Sequence, residues 1–439
     1  MRVVLACYLM LCALHVTAQN KPTSIIYVIG DGMGMEYLTA YRHFQDDPTT
    51  AALESTWFDR YLVGTASTHP DDVTQVTDSA ASATALAAGI KTYNGAIGVD
   101  SQGREVETLL ERAKKRGYQT AMVATSQINH ATPASFAAHI DSRQKYDEIA
   151  DQYLERRYQG KPWVDILLGG GKQYFERDDR HLVDEFKALG YQYAGDFAGL
   201  DTLTRAPALA LLADRGLPFA IDEPPADRLR VLTRKALELL EADKPFFLLV
   251  EASQIDWCGH ANDIACAMRE MADAEVALQA IEDYVGQHPQ TLVVVTADHS
   301  TGGLTMGAEG EYVWRAEVVR GIKASANTLA AALVAQKPWY ATWQSITGIE
   351  LTNETKERFS RRLDEVHSAE TEAVKNTAIT ALRAQVLAQI DRASATGWTT
   401  SGHTGGDVAV MALGAGAQAF AGQQDNTELA RKLFAVIGE

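Results

Sequence analysis

Four short runs of apolar, largely β-branched residues set the outline of this fold: SIIYVIG (24–30), QTAMVAT (119–125), KPFFLLVEA (244–252) and TLVVVTA (291–297). A strand with one wet face alternates polar and apolar residues. These runs do not, so each is expected to be buried on both faces. Between them lie stretches of helical period, VETLLERAKKRG (106–117), HLVDEFKALG (181–190) and AMREMADAEVALQAIEDYV (267–285). Strands alternating with helices predict an α/β fold, a mostly parallel central sheet with helices on both faces. In such sheets ligands gather at the carboxyl ends of strands. There the chain places Asp31, then 126–132, then Glu251 to His260, then Asp298-His299, so each strand hands over to a carboxylate, an imidazole or both.

From about 305 to 398 strand signal fades and Ala-rich helical sequence such as ASANTLAAALVAQ takes over. It is expected to be a helical insertion decorating a single domain that spans 19–439. The first 18 residues, one basic group and a short apolar run ending in Val16-Thr17-Ala18, have the form of a signal peptide cleaved before Gln19. A lipid anchor at Cys7 or Cys12 lacks the right spacing. No later segment is apolar enough to span a bilayer, so the mature chain is expected to be periplasmic or secreted. Cleavage leaves two of the four cysteines, Cys258 and Cys266. On one continuous helix they would sit about 12 Å apart along the axis, too far for a disulfide. They are expected to be free thiols filling the core.

A net charge of -17 argues against a nucleic-acid partner. It also means that an anionic substrate would need local positive charge, from an arginine or bound cations. Several motifs bear on that need. GDGMG (30–34) lacks the dinucleotide-loop spacing, and its carboxylate would repel a pyrophosphate. Asp31 serves either to cap a turn or to bind a metal. VTDSAASATALAAG (76–89) is a helix with marked ends, Asp78 as cap and Gly89 as left-handed stop. Ser79 then lies at a helix N-terminus, where free N–H groups favour an anion. Its hydroxyl is too weak an acid to attack without a base or a metal, and no G-x-S-x-G elbow is present. Asp256 and His260, four apart, share a face if a helix has started there, a spacing that suits one zinc ion. Glu251, at the strand end, would face a second metal. Asp298-His299 and His403, in TSGHTGGDV (400–408), add to the cluster, and Arg143 is a candidate clamp on phosphoryl oxygens. Oxygen and nitrogen donors of this kind suit zinc with magnesium.

Taken together, YVIGDGMG, VTDSAASATALAAGIKTYNGAIGVD, HATPASFAAHIDSR, VEASQIDWCGH, VTADHSTGG and SGHTGGD strongly resemble the alkaline phosphatase family. They occur in the family's order and bracket nearly all of 24–408. The resemblance implies hydrolysis of phosphate monoesters at alkaline pH through a phosphoserine on Ser79. It implies one zinc held by Asp31, Asp298 and His299, another by Asp256, His260 and His403, and a magnesium by Asp31, Thr132 and Glu251. Arg143 aligns with a phosphate-binding arginine, and the family suggests a homodimer. Two positions depart from many bacterial members. His130 stands where an aspartate often borders the third metal, and vertebrate members also have histidine there. Trp257 stands where a lysine or histidine often contacts phosphate through water, so the hold on phosphate should be weaker. The alternatives are a related hydrolase of phosphodiesters or sulfate esters, although no Cys-x-Pro-x-Arg motif is present, and a non-catalytic metal- or phosphate-binding module.

Overall fold

The computed structural model describes residues 23–223, 227–241 and 243–438; the N-terminal segment read as a signal peptide, with Cys7 and Cys12, lies outside them. A ten-stranded sheet runs through the molecule. In chain order its strands are β1 (Ser24–Gly30), β2 (Leu62–Ser67), β3 (Gln119–Gln127), β4 (Ile166–Gly170), β5 (Gln192–Ala194), β6 (Ala208–Leu211), β7 (Phe246–Ala252), β8 (Thr291–Ala297), β9 (Val408–Gly414) and β10 (Gly422–Asp425). In space the order is β10-β2-β9-β8-β1-β7-β3-β4-β6-β5. Only β9 runs against its neighbours, β8 and β2; the other pairs are parallel.

The four apolar runs of the sequence are the four central strands, β8-β1-β7-β3. Every residue of β1, β3, β7 and β8 is buried, as their lack of alternation requires. The helices foreseen between them are present, though with different ends: Leu109–Lys115, Leu182–Ala188 and Ile264–Gln287. Register brings the carboxyl ends together, with Gly30 opposite both Ala297 and Ala252, and Glu251 opposite Ala124. The polar residues that follow these strands therefore meet above the middle of the sheet.

Between Leu304–Met306 and Thr396–Trp398, which pair as an antiparallel ribbon, lie helices Ala316–Gly321, Ala326–Ala335, Trp339–Thr347, Asn353–His367 and Glu372–Ser394. They share a small apolar interior in which Trp343 and Phe359 are fully buried, ring centroids 5.1 Å apart.

The cysteine expectation is overturned. Cys258 and Cys266 form a disulfide, with Cα atoms 5.5 Å apart. They are not on one helix. The first helix, Gln254–His260, stops, and Asn262 takes a left-handed φ of 55°. Asp263 then caps the next helix by accepting from the Cys266 N–H at 3.1 Å. That turn folds the second helix back beside Cys258 and replaces an axial separation with a lateral contact.

Candidate active site

The site is assembled from strand ends. After β1, the Asp31 N–H donates to the Ala252 carbonyl at 3.1 Å, which ties the first loop to the end of β7. Gly32 has a φ of 73°, and a Cβ there would lie 2.7 Å from the Asp256 Cα. Both the backbone angle and the close approach require glycine. Its N–H donates to Asp298 Oδ1 at 3.1 Å. Loops from three strands are thereby fixed to one another before any side chain acts.

Ser79 opens the helix Ser79–Ala88, and the Asp78 side chain accepts from the Ala81 N–H as foreseen. Ser79 is 1% exposed, and its Oγ lies 3.2 Å from Nε2 of His299. That same Nε2 is 3.4 Å from Asp31 and 3.2 Å from Asp298. Asp78 has further work. One oxygen receives the Ala81 and Gly95 N–H groups, and the other receives Arg143 Nη1 at 3.1 Å. The nucleophile candidate and the arginine candidate are therefore held by one carboxylate.

Asp256 and His260 do share a helix face, with Nε2 of His260 3.4 Å from Asp256. His403 does not lie in a free loop: it begins the two-residue strand His403–Thr404, which pairs antiparallel with Ser300–Thr301. That pairing holds it 3.6 Å from Asp256, with its ring stacked on His299 at 3.5 Å between centroids. Nδ1 of His260 faces the Ser401 carbonyl at 2.6 Å, and Nδ1 of His403 the Thr77 carbonyl at 2.8 Å. A carbonyl can only accept, so both Nδ1 atoms carry protons. In the neutral rings both Nε2 atoms then present lone pairs, and they lie 3.1 Å apart. Burial, helped by His299, holds His403 down to about 4, which keeps it neutral at ordinary pH.

The third group lies deeper. Asp31, His130 and Glu251 approach one another, and Thr132, two residues after His130, is fully buried. Arg143 Nη2 donates to Nε2 of His130 at 3.1 Å, so the His130 proton sits on Nδ1, 4.0 Å from Asp31. Burial and the neighbouring Arg143 push His130 down to about 3. Trp257 is half-buried, its ring nearly perpendicular to His130 at 6.0 Å.

The donor set fits cations. Both Asp31 oxygens, Asp298 Oδ2, Glu251 Oε1 and Thr132 Oγ1 are buried without a hydrogen-bond partner. Each such group costs about 1–3 kcal/mol if left unpaired. Burial, and then the carboxylates of Asp298, Asp256 and Glu251, hold the Asp31 carboxyl well above its usual range. Burial pushes Glu251 up to about 8. Burial also works against Asp298, but His299 overcomes it and holds that carboxyl at about 2. A cluster of carboxylates this dry ionises together only if positive charge joins it. Its ligand atoms group as Asp256-His260-His403, Asp31-Asp256-His299 and Asp31-His130-Glu251, each within 4.8 Å.

Three residues have roles that the sequence does not foretell. Thr301 donates to Asp256 at 2.5 Å and lies 3.3 Å from Nδ1 of His299, so it bridges the two groups. Ser126 donates to Glu251 at 3.2 Å. Asp78 was read as a cap alone, although it also holds Arg143. For Thr301 and Ser126 the signal in the sequence is a hydroxyl close to a strand end that carries ligand residues, and for Asp78 it is the neighbouring Ser79.

Comparison with known proteins agrees with the geometry. The alkaline phosphatase family model matches residues 23–438. Alkaline phosphatase 3 of Bacillus subtilis is 44% identical over 95% of this chain and 90% of its own. The cold-active alkaline phosphatase of a psychrophilic Shewanella superposes with a TM-score of 0.88 at 44% identity, covering 95% of this chain and all of the other. A histidine-to-aspartate variant of the TAB5 alkaline phosphatase, from an Antarctic bacterium, has magnesium bound in its M3 site. It superposes at 0.68 with 27% identity, covering 95% of this chain and 98% of its own. The chain therefore belongs to the alkaline phosphatase family, metal-dependent hydrolases of phosphate monoesters.

Proposed function

We propose that this chain hydrolyses phosphate monoesters at alkaline pH by two in-line displacements, with Ser79 carrying the phosphoryl group between them. The observation that carries this reading is the Ser79 hydroxyl, at the N-terminus of a ten-residue helix and 3.2 Å from Nε2 of His299, beside a knot of buried carboxylates. The helix N–H groups and dipole favour the phosphoryl oxygens there. Arg143, steadied by Asp78 and His130, orients those oxygens. Its fixed fork lowers the entropy cost of alignment, which is much of what phosphoryl transfer requires.

Asp31, Asp298 and His299 would hold one zinc; Asp256, His260 and His403 a second; Asp31, Thr132 and Glu251 a magnesium, beside His130. Ions bound there would lower the pKa of the hydroxyl and water nucleophiles and neutralise developing oxygen charge. A TAB5 variant with aspartate in place of a histidine is reported with magnesium in its M3 site, which supports a third cation site in relatives of this chain. Thr301 and the carbonyls of Ser401 and Thr77 orient the ligand side chains. Trp257 supplies no cation, so product phosphate is held loosely and leaves quickly.

The same reading takes 19–439 as one catalytic domain with its helical insertion at about 305–398. It is exported to the periplasm or medium after loss of residues 1–18 and works as a homodimer. Among the described residues no helix is long and apolar enough to cross a membrane. The test is a comparison of p-nitrophenyl phosphate, bis-p-nitrophenyl phosphate and p-nitrophenyl sulfate, with and without chelator. The reading requires the monoester to dominate and the chelator to abolish turnover; preference for either other ester refutes it.

A further inference from the structure

The half-buried indole of Trp257 meets two surfaces. One is His130, 6.0 Å away at an interplanar angle of 77°. The other is backbone from a distant part of the chain. A Cβ placed on Gly216 would lie 2.4 Å from both Cη2 and Cζ3 of the indole, and 2.9 Å from Nε2 of Gln254. Real Cβ atoms essentially never come so close. Gly216 is not among the residues with left-handed φ, so conformational freedom does not explain a glycine there. The ring does.

The loop that carries Gly216 follows β6 and is tied down on several sides. The Gly171 N–H donates to the carbonyls of Ala213 and Arg215, and the Leu217 N–H to the Thr125 carbonyl, all at 2.9 Å. Gln254 joins this loop to the helix bearing Trp257, donating to the Leu217 carbonyl at 2.6 Å and accepting from Arg228 at 2.9 Å. Arg228 is itself buried between Glu270, at 2.6 Å, and Asp273, at 3.1 Å. So the indole rests on a fixed support, and its ring lies 6.0 Å from His130, whose Nε2 accepts from Arg143.

We infer that Gly216 is a positioning residue for phosphate binding: its missing side chain is the space that keeps Trp257 against His130. The inference rests on the proposed reading that Trp257 borders the phosphoryl site. Moving the ring by the width of a methyl group changes what lies beside Arg143 without altering a metal ligand or the nucleophile.

The test uses the full metal-loaded enzyme as wild type, Gly216→Ala, Trp257→Phe and the double variant. The measurements are inorganic phosphate affinity by calorimetry, KM and kcat on p-nitrophenyl phosphate, and zinc content. Overpacking the ring should change phosphate affinity by at least about threefold, with zinc content unchanged. A phenylalanine lacks the two ring atoms that the new methyl would strike, which leaves the milder 2.9 Å approach to Gln254 Nε2. In that background Gly216→Ala should then change affinity by less than about twofold, as the coupling requires. An unchanged affinity in Gly216→Ala, or the same shift in both backgrounds, overturns the inference. Wild-type phosphate affinity in Trp257→Phe overturns the reading of Trp257 beneath it. If Gly216→Ala fails to fold while the double variant folds, the ring is confirmed as the reason for glycine. If neither folds, the inference fails.

Discussion

Nε2 of His260 and Nε2 of His403 lie 3.1 Å apart, while each ring's Nδ1 faces a backbone carbonyl. Two lone pairs at that distance repel unless a cation joins them. One residue comes from a helix after β7 and the other from the short strand His403–Thr404 before β9, so the cation would also link two remote segments. On the proposed two-zinc reading, replacing His403 by Ala should reduce bound zinc from two equivalents to one and lower kcat at least about 100-fold. Elemental analysis alongside kinetics decides this; retention of two equivalents would contradict the ligand assignment.

Trp257 is the residue expected to set product release. Trp257→Lys would place a cation beside His130 and Arg143, and should lower both kcat and KM on p-nitrophenyl phosphate by about 3- to 10-fold, since about 1 kcal/mol of added phosphate affinity acts on both. Steady-state kinetics with phosphate as inhibitor measures it. Unchanged constants would remove Trp257 from the phosphate site.

The disulfide closes a short loop between the helix that carries Asp256 and His260 and the helix that follows. Cys258→Ala with Cys266→Ala should cost about 2–3 kcal/mol, the loop-closure entropy for a link of this length. Because Cys258 sits between Asp256 and His260, zinc should also be lost to chelator faster than from wild type. Denaturant melts and timed zinc release would show it; equal zinc release rates would mean that the helix is positioned without the bond.

Burial raises the Asp391 carboxyl to about 7, although the Trp398 indole N–H donates to it at 3.2 Å. The folded protein keeps this proton up to about pH 7, whereas the unfolded chain releases it near the model-peptide value of 3.8. The contribution is fully present below about pH 4 and is lost as pH rises through 7. Asp391→Asn keeps the acceptor for Trp398 and cannot ionise. The stability of wild type relative to the variant should therefore fall between pH 4 and 7 and level off above. A constant difference across that range would contradict the buried-acid account.

Much of this is legible in the sequence, for identifiable reasons. Strands buried on both faces cannot alternate, so β1, β3, β7 and β8 stood out, and the carboxyl-end rule drew Asp31, Glu251 and Asp298 together. The i, i+4 spacing placed Asp256 and His260 on one face, and Asp78 with Gly89 marked both ends of the Ser79 helix. Other features left no local trace. Strand β10 reads GQQD and has no apolar residue, and β2 carries Gly64, whose missing Cβ leaves room for the Gly422 carbonyl. The Cys258–Cys266 bond depends on a left-handed Asn262 followed by the Asp263 cap, a stop-and-restart signal that the expectation of one continuous helix passes over. The pairing of Arg143 with both Asp78 and His130 joins three separate segments, and only the tertiary fold reveals it.

The central claim is that Ser79 takes the phosphoryl group. The most direct measurement is intact and peptide mass spectrometry of enzyme quenched in acid during turnover of p-nitrophenyl phosphate. A phosphoryl adduct on the peptide containing Ser79, absent from Ser79→Ala together with nearly all turnover, is the predicted result. An adduct on another residue, or turnover undiminished in Ser79→Ala, would contradict it.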